Sequence, residues 1–133
     1  QEMNLVPCCY SSVWNIIDGK LNCMLVQRSS DYPVGVPFDT TQYAILTHLF
    51  ARHLGVKPGL LTHVMADSHI YWNQLPGVEQ QFKQYEELRT IRKPRPKFIF
   101  KENAPTNFWQ ITLDDFDIVD YDPMPAIKYE VAV

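Results

Sequence analysis

The run Leu5-Val6-Pro7-Cys8-Cys9, answered further along by Gln27-Arg28-Ser29-Ser30-Asp31, decides how this chain is read. Between the two runs, residues 11–17 and 20–27 are rich in Val, Ile, Leu and Cys, the composition of strands. Asp18-Gly19 separates them and suits a two-residue hairpin turn, whose central residues both need positive φ. Such a hairpin folds the far end of the second strand back beside the start of the first, bringing Arg28 within reach of Cys8. A lone cysteine is most often a small buried hydrophobe. Cys8, however, follows a proline at the mouth of a strand and lies outside any apolar run. A guanidinium beside it favours thiolate over thiol, and a thiolate is the soft nucleophile that adds to an electron-poor carbon. Cys23, in mid-strand, is expected in the core. Cys9 is open, since adjacent strand residues face opposite sides.

Outward from this hairpin, residues 29–37, with two prolines and a glycine, read as an irregular loop. From residue 40 to 54, Tyr43, Leu46, Leu49, Phe50 and Leu54 follow helical spacing, and Gly55 stands where a C-terminal cap belongs. Residues 60–71 read as a strand and 75–87 as a polar helix. Residues 92–96 break the chain with two prolines, and strands are expected at 97–100, 116–121 and 127–131. The fold class is α+β: a mixed sheet with helices packed on one face, in a single domain over residues 1–133.

Composition narrows the function. With 133 residues, 46% hydrophobic and 20% charged, the chain is an ordinary globular domain. A net charge of -3 argues against gripping a nucleic acid backbone, although a small anion needs only a local basic pocket. No apolar stretch reaches the length of a membrane span, so a cytoplasmic setting and no membrane partner are expected. Three cysteines, two of them adjacent, make neither a disulfide framework nor, with His63 and His69, a zinc-binding spacing; no metal is expected.

Other residues carry chemistry beside Cys8. Arg28 and Ser29 pair a guanidinium with a hydroxyl, natural donors to a phosphate. His69 and Tyr71, two apart on a strand, share a face and could bond a sugar hydroxyl. Asp39 precedes the expected helix, and with Gln42 it also fits a D-x-x-Q capping box.

Several motifs in one fixed register resemble the carboxy-terminal half of the thymidylate synthase family: Pro7-Cys8, Asp18-Gly19-Lys20-Leu21, Gln27-Arg28-Ser29-x-Asp31, Gly35-x-Pro37-Phe38, Tyr43-Ala44-x-Leu46, His69-x-Tyr71 and Tyr121-Asp122-Pro123-x-Pro125-x-Ile127-Lys128. The resemblance implies that Cys8 adds to C6 of a pyrimidine nucleoside monophosphate, with catalytic support from Arg28 and Asp31. Arg28 and Ser29 would hold the phosphate, His69 and Tyr71 the 3′-hydroxyl, and Gly35 and Asp39 would line the substrate. Asp31 would help to seat the co-substrate, methylenetetrahydrofolate, and Val133 would close over the complex. Family members pack a sheet face on a twin, which implies a homodimer.

Asp39 stands where thymidylate synthases carry asparagine. An asparagine amide matches the N3 donor and O4 acceptor of uracil, whereas a protonated aspartate, or an aspartate facing cytosine protonated at N3, suits the reversed pattern of cytosine. In this position the chain is similar to phage-type deoxycytidylate hydroxymethylase, so dCMP hydroxymethylation is expected, with dUMP methylation as the alternative. Most family members also carry histidine where this chain has Cys9. The family enzyme is about twice this length, and its missing half supplies further phosphate arginines and a proton-handling glutamate. Gln1 therefore reads as the start of a fragment that is incomplete as an enzyme by itself. A non-catalytic nucleotide-binding or dimer-forming module is the reading from another class.

Overall fold

The computed structural model describes residues 5–91 and 93–130. They gather into two compact units: the residues up to His69 with Pro105–Ile111, and Ile70–Ala104 with the residues from Thr112 onward.

In the first unit, β1 (Cys9–Ile17) and β2 (Lys20–Asp31) form the hairpin, α1 (Gly35–His53) crosses over, and β3 (Lys57–His69) returns. The sheet order is β1-β2-β3, with β1 antiparallel and β3 parallel to the central β2. Asp18 and Gly19 have φ of 50° and 69°, as the turn requires. Leu21, Cys23, Leu25 and Gln27 alternate along β2 and are all buried beneath α1. The helix answers with Thr47 and Ala51, small residues that allow close approach. The Thr47 hydroxyl donates to the carbonyl of Tyr43 at 2.7 Å, so its burial strands no polar group. Gly55, at φ 67°, ends the helix in a Schellman arrangement: Val56 N–H bonds Ala51 O and Gly55 N–H bonds Arg52 O.

Two expectations about this unit are corrected. Residues 29–31 are strand rather than loop, because Ser29, Ser30 and Asp31 pair with Asp67, Ser68 and His69 of β3. The helix then starts at Gly35, five residues early, and Pro37 falls in its first turn, where a missing N–H forfeits no bond. Asp39 is thus inside the helix, and the capping-box reading of Asp39 and Gln42 falls away.

In the second unit a short 3-10 turn (Trp72–Gln74) leads into α2 (Leu75–Thr90), and β4 (Lys97–Phe100) pairs antiparallel with β5 (Phe116–Val119). No strand forms over residues 121–130; residues 131–133, and Val133 with them, lie outside the described residues. Residues 121–130 are held to this unit by side chains. Tyr129 packs on Gly77 and its hydroxyl donates to Gln81 Oε1 at 2.9 Å. Gln84 Nε2 bonds Pro125 O at 2.8 Å, and Lys93 Nζ pairs with Asp122 at 2.8 Å. Among the described residues no helix is long and apolar enough to cross a membrane.

Candidate functional site

Cys8 is exposed, immediately before β1. Its carbonyl accepts the Arg28 backbone N–H at 2.9 Å, and Arg28 Nη2 lies 3.8 Å from Cys8 Sγ. Arg28 also grips Val6 O through Nε (3.1 Å) and Nη2 (2.9 Å), which holds the guanidinium against the loop carrying the thiol. The expected neighbourhood of Cys8 and Arg28 is therefore present.

One extra residue in β1 makes it so. From Ile17 to Ser11 the hairpin runs in one register, with Ser11 opposite Val26; Cys9 then pairs with Gln27, so a bulge lies at Tyr10. The same bulge settles the side to which Cys9 turns. Trp14, edge-on to Phe50 of α1 at 5.1 Å, points to the helix. Strict alternation from Trp14 would turn Cys9 away from α1, yet the Cys9 thiol lies close enough to Asp39 on the helix for that carboxylate to raise its pKa. Its pKa is pushed up to about 11, first by burial, then by the charge and hydrogen bond of Asp39, and least by Cys8.

Asp39 opens a chain of polar contacts. Its Oδ2 accepts Gln27 Nε2 at 2.8 Å, and the same amide nitrogen donates to Ser29 O at 2.9 Å. Gln27 Oε1 lies 2.7 Å from His63 Nε2, and His63 Nδ1 lies 3.0 Å from Thr40 Oγ1. Tyr43, one turn beyond Asp39, has its phenol pKa raised by burial and then by Cys9, Cys23 and Asp39. Gly35 faces this corner too: a Cβ there would stand 3.6 Å from Asp31 Cβ and 3.8 Å from Asp39 Oδ2, in ordinary contact with both.

The remaining expected residues are placed as follows. Ser29 and Asp31 end β2, and Asp31 Oδ1 accepts Val34 N–H at 3.4 Å. His69 ends β3 with Nδ1 3.5 Å from Asp67 Oδ2, and its carbonyl accepts Tyr32 N–H at 2.9 Å. Tyr71 belongs to the second unit. The strand expected through Tyr71 stops at His69, so a shared strand face does not join the two. Instead Tyr71 precedes the 3-10 turn, where its N–H donates to Gln74 Oε1 and its carbonyl accepts Gln74 N–H, each at 3.0 Å.

Sequence reading missed Gln27, Thr40 and His63 as members of this corner. The available signal was periodicity. Leu61, His63 and Met65 share one face of β3 and pair with Cys23, Leu25 and Gln27, so a polar ring at 63 had to meet a polar partner on the buried side.

A family model described as thymidylate synthase matches residues 1–133. Among curated proteins, a thymidylate synthase of Clostridium beijerinckii is 45% identical over 129 residues, covering 97% of this chain and 47% of that protein. One of Mycoplasma pneumoniae is 38% identical over 132 residues, covering 99% of this chain and 43% of that protein. The chain thus spans rather less than half the length of these relatives.

Proposed function

Because the chain belongs to the thymidylate synthase family, we propose that the protein containing it transfers a one-carbon unit from methylenetetrahydrofolate to C5 of a pyrimidine nucleoside monophosphate, with Cys8 as nucleophile. The observation that carries this reading is the exposed Cys8 thiol beside the anchored Arg28 guanidinium, one residue away from the half-buried polar corner around Asp39.

The chemistry suits these residues. Sulfur adds to C6, the C5–C6 electron pair shifts to C5, and C5 becomes the nucleophile toward the one-carbon unit. Loss of the C5 proton and release of tetrahydrofolate leave an exocyclic methylene, and Cys8 departs at the end. Hydride from the folate gives a methyl group and dihydrofolate; water gives a hydroxymethyl group and tetrahydrofolate. Arg28 and Ser29 serve the phosphate, His69 and Tyr71 the sugar, and Gly35 and Asp39 the base. The Asp31 carboxylate, half-exposed at the end of β2, suits the N–H donors of a pterin. Val133 keeps its expected closing role as part of the proposal.

The relatives favour methylation of dUMP, since both carry the name thymidylate synthase. One observation favours the second reading, dCMP hydroxymethylation. Asp39 is no helix cap, and it stands as an acceptor to Gln27, close to Cys9, in the corner assigned to the base. Tritium release from C5-labelled dUMP and dCMP, measured on the full-length protein with methylenetetrahydrofolate, separates the two. Release from dUMP alone supports the methylase and release from dCMP alone the hydroxymethylase. Release from neither, under conditions where Cys8→Ser behaves identically, defeats both.

A homodimer of cytoplasmic enzyme goes with this reading. Val13, Met24 and Val64, 39–49% exposed, lie on three neighbouring strands of the sheet face away from α1. A twin copy packed there would cover them. Sedimentation of the full-length protein at micromolar concentration would show a dimer, and a monomer would refute it.

A further inference from the structure

The polar chain behind Asp39 is closed on itself. It leaves α1 at Asp39, passes through Gln27 of β2 and His63 of β3, and returns to α1 at the very next residue, Thr40. Gln27 is the joint of this ring. At 2% exposure it has no water to satisfy a wrong orientation. Its amide nitrogen has two acceptors, Asp39 Oδ2 and Ser29 O, and its amide oxygen therefore needs a donor. His63 Nε2–H is that donor at 2.7 Å. A hydrogen on Nε2 leaves the neutral ring's Nδ1 as an acceptor, and the Thr40 hydroxyl supplies its hydrogen at 3.0 Å.

We propose that His63 and Thr40 are positioning residues for base selection: they hold the Gln27 amide with its nitrogen toward Asp39, so that Asp39 meets the nucleobase in one fixed hydrogen-bonding sense. The inference rests on the reading that Asp39 faces the base. Removing the His63 donor leaves Gln27 Oε1 buried and unpaired, and turning the amide over gives no relief, since it would set that oxygen against two acceptors, Asp39 Oδ2 and Ser29 O. The amide shifts in search of another donor, its nitrogen is drawn off Asp39, and the carboxylate facing the base loses the bond that fixes its direction. A site built on matched polar groups discriminates by leaving the wrong partner unpaired, so disturbing the match erodes the discrimination.

The test uses the full-length protein, methylenetetrahydrofolate, and 5-fluoro-dUMP and 5-fluoro-dCMP as probes of covalent capture by Cys8. The readout is the ratio of the two capture rates, with thermal unfolding followed in parallel. His63→Leu is expected to move that ratio by about tenfold or more, while His63→Gln, which keeps a donor, and Thr40→Ser, which keeps the hydroxyl, hold it within about twofold. A folded His63→Leu variant with the wild-type ratio overturns the inference, provided that Asp39→Asn alters the ratio. If Asp39→Asn leaves the ratio unchanged, Asp39 does not read the base, and the inference falls with that reading. Should His63→Leu fail to fold, nitrogen chemical shifts of the wild-type His63 ring decide. Hydrogen on Nε2 upholds the assignment, and hydrogen on Nδ1 alone overturns it.

Discussion

Arg28 Nη2 stands 3.8 Å from Cys8 Sγ because Tyr10 is an extra residue in β1. Continued without that bulge, the register that sets Ser11 against Val26 would bring Ser29, not Arg28, opposite Cys8. The Cys8 thiol and the Arg28 guanidinium are therefore matched by a local irregularity in the strand, a device that re-aims side chains. Deleting Tyr10, whose side chain is largely exposed, should leave the protein folded and remove capture of 5-fluoropyrimidine nucleotides by Cys8. Intact-mass measurement of the adduct checks this, and undiminished capture would show that the bulge is dispensable.

Arg28→Ala should slow that capture by about 10- to 100-fold, since one oriented guanidinium is lost from the site. Arg28→Lys should recover little. An ammonium has no fork with which to grip Val6 O through two nitrogens while reaching the thiol. Capture rates at saturating nucleotide separate the effect from weakened binding.

Cys9 links stability to alkaline pH. Its folded pKa of about 11 lies above the ordinary thiol value of 9.0, chiefly through burial and then through Asp39. A proton held more tightly by the folded state contributes stability below pH 9, and that contribution is lost as pH rises from 9 toward 11. Thermal unfolding of the wild type should fall across this window more steeply than that of Cys9→Ser, whose hydroxyl does not titrate there. Parallel curves would remove Cys9 from the account.

Gly59→Ala tests the close approach of β2 and β3. A Cβ at residue 59 would strike Asn22 Oδ1 and stand 2.7 Å from Leu21 O, beside the irregularity in the β2–β3 register. The Asn22 carbonyl also accepts Leu60 N–H at 2.8 Å, so it cannot yield freely. A loss of about 1–3 kcal/mol is expected, read from the denaturation midpoint at constant m-value.

In the second unit, Gly77→Ala should release residues 121–130. The new Cβ would fall 2.5 Å from Tyr129 Cε1, pushing the ring off α2 and breaking its bond to Gln81. Limited proteolysis should cut this segment about tenfold faster; an unchanged pattern would mean that Gln84 and Lys93 suffice to hold it.

What was legible in the sequence was local. The Asp18-Gly19 turn, the Gly55 cap and the strand at 97–100 all follow from residues near in sequence. The extension of β2 to Asp31 was not legible, because its partners Asp67–His69 are supplied across the whole α1 crossover and outweigh the prolines nearby. Ile127 and Tyr129 alternate as a strand would, but their alternation serves side-chain docking in the second unit rather than a ladder. At the site, Cys8 and Arg28 could be read from a hairpin. For Gln27 and His63 periodicity could mark only polar residues on a buried face; which groups they and Thr40 meet is set by tertiary pairing of one helix with two strands.

That difference in reach has a temporal side. The Arg28 N–H to Cys8 O bond belongs to a hairpin closed by two residues, an event on the order of microseconds. The ring through His63 must wait for α1 to form and β3 to dock, a contact of much longer sequence separation. A growing chain can therefore bring Cys8 and Arg28 together before Gln27, His63 and Thr40 have met. Pulsed hydrogen exchange during refolding should find the Arg28 amide protected ahead of those of β3, and the opposite order would mean that the sheet nucleates from its parallel edge.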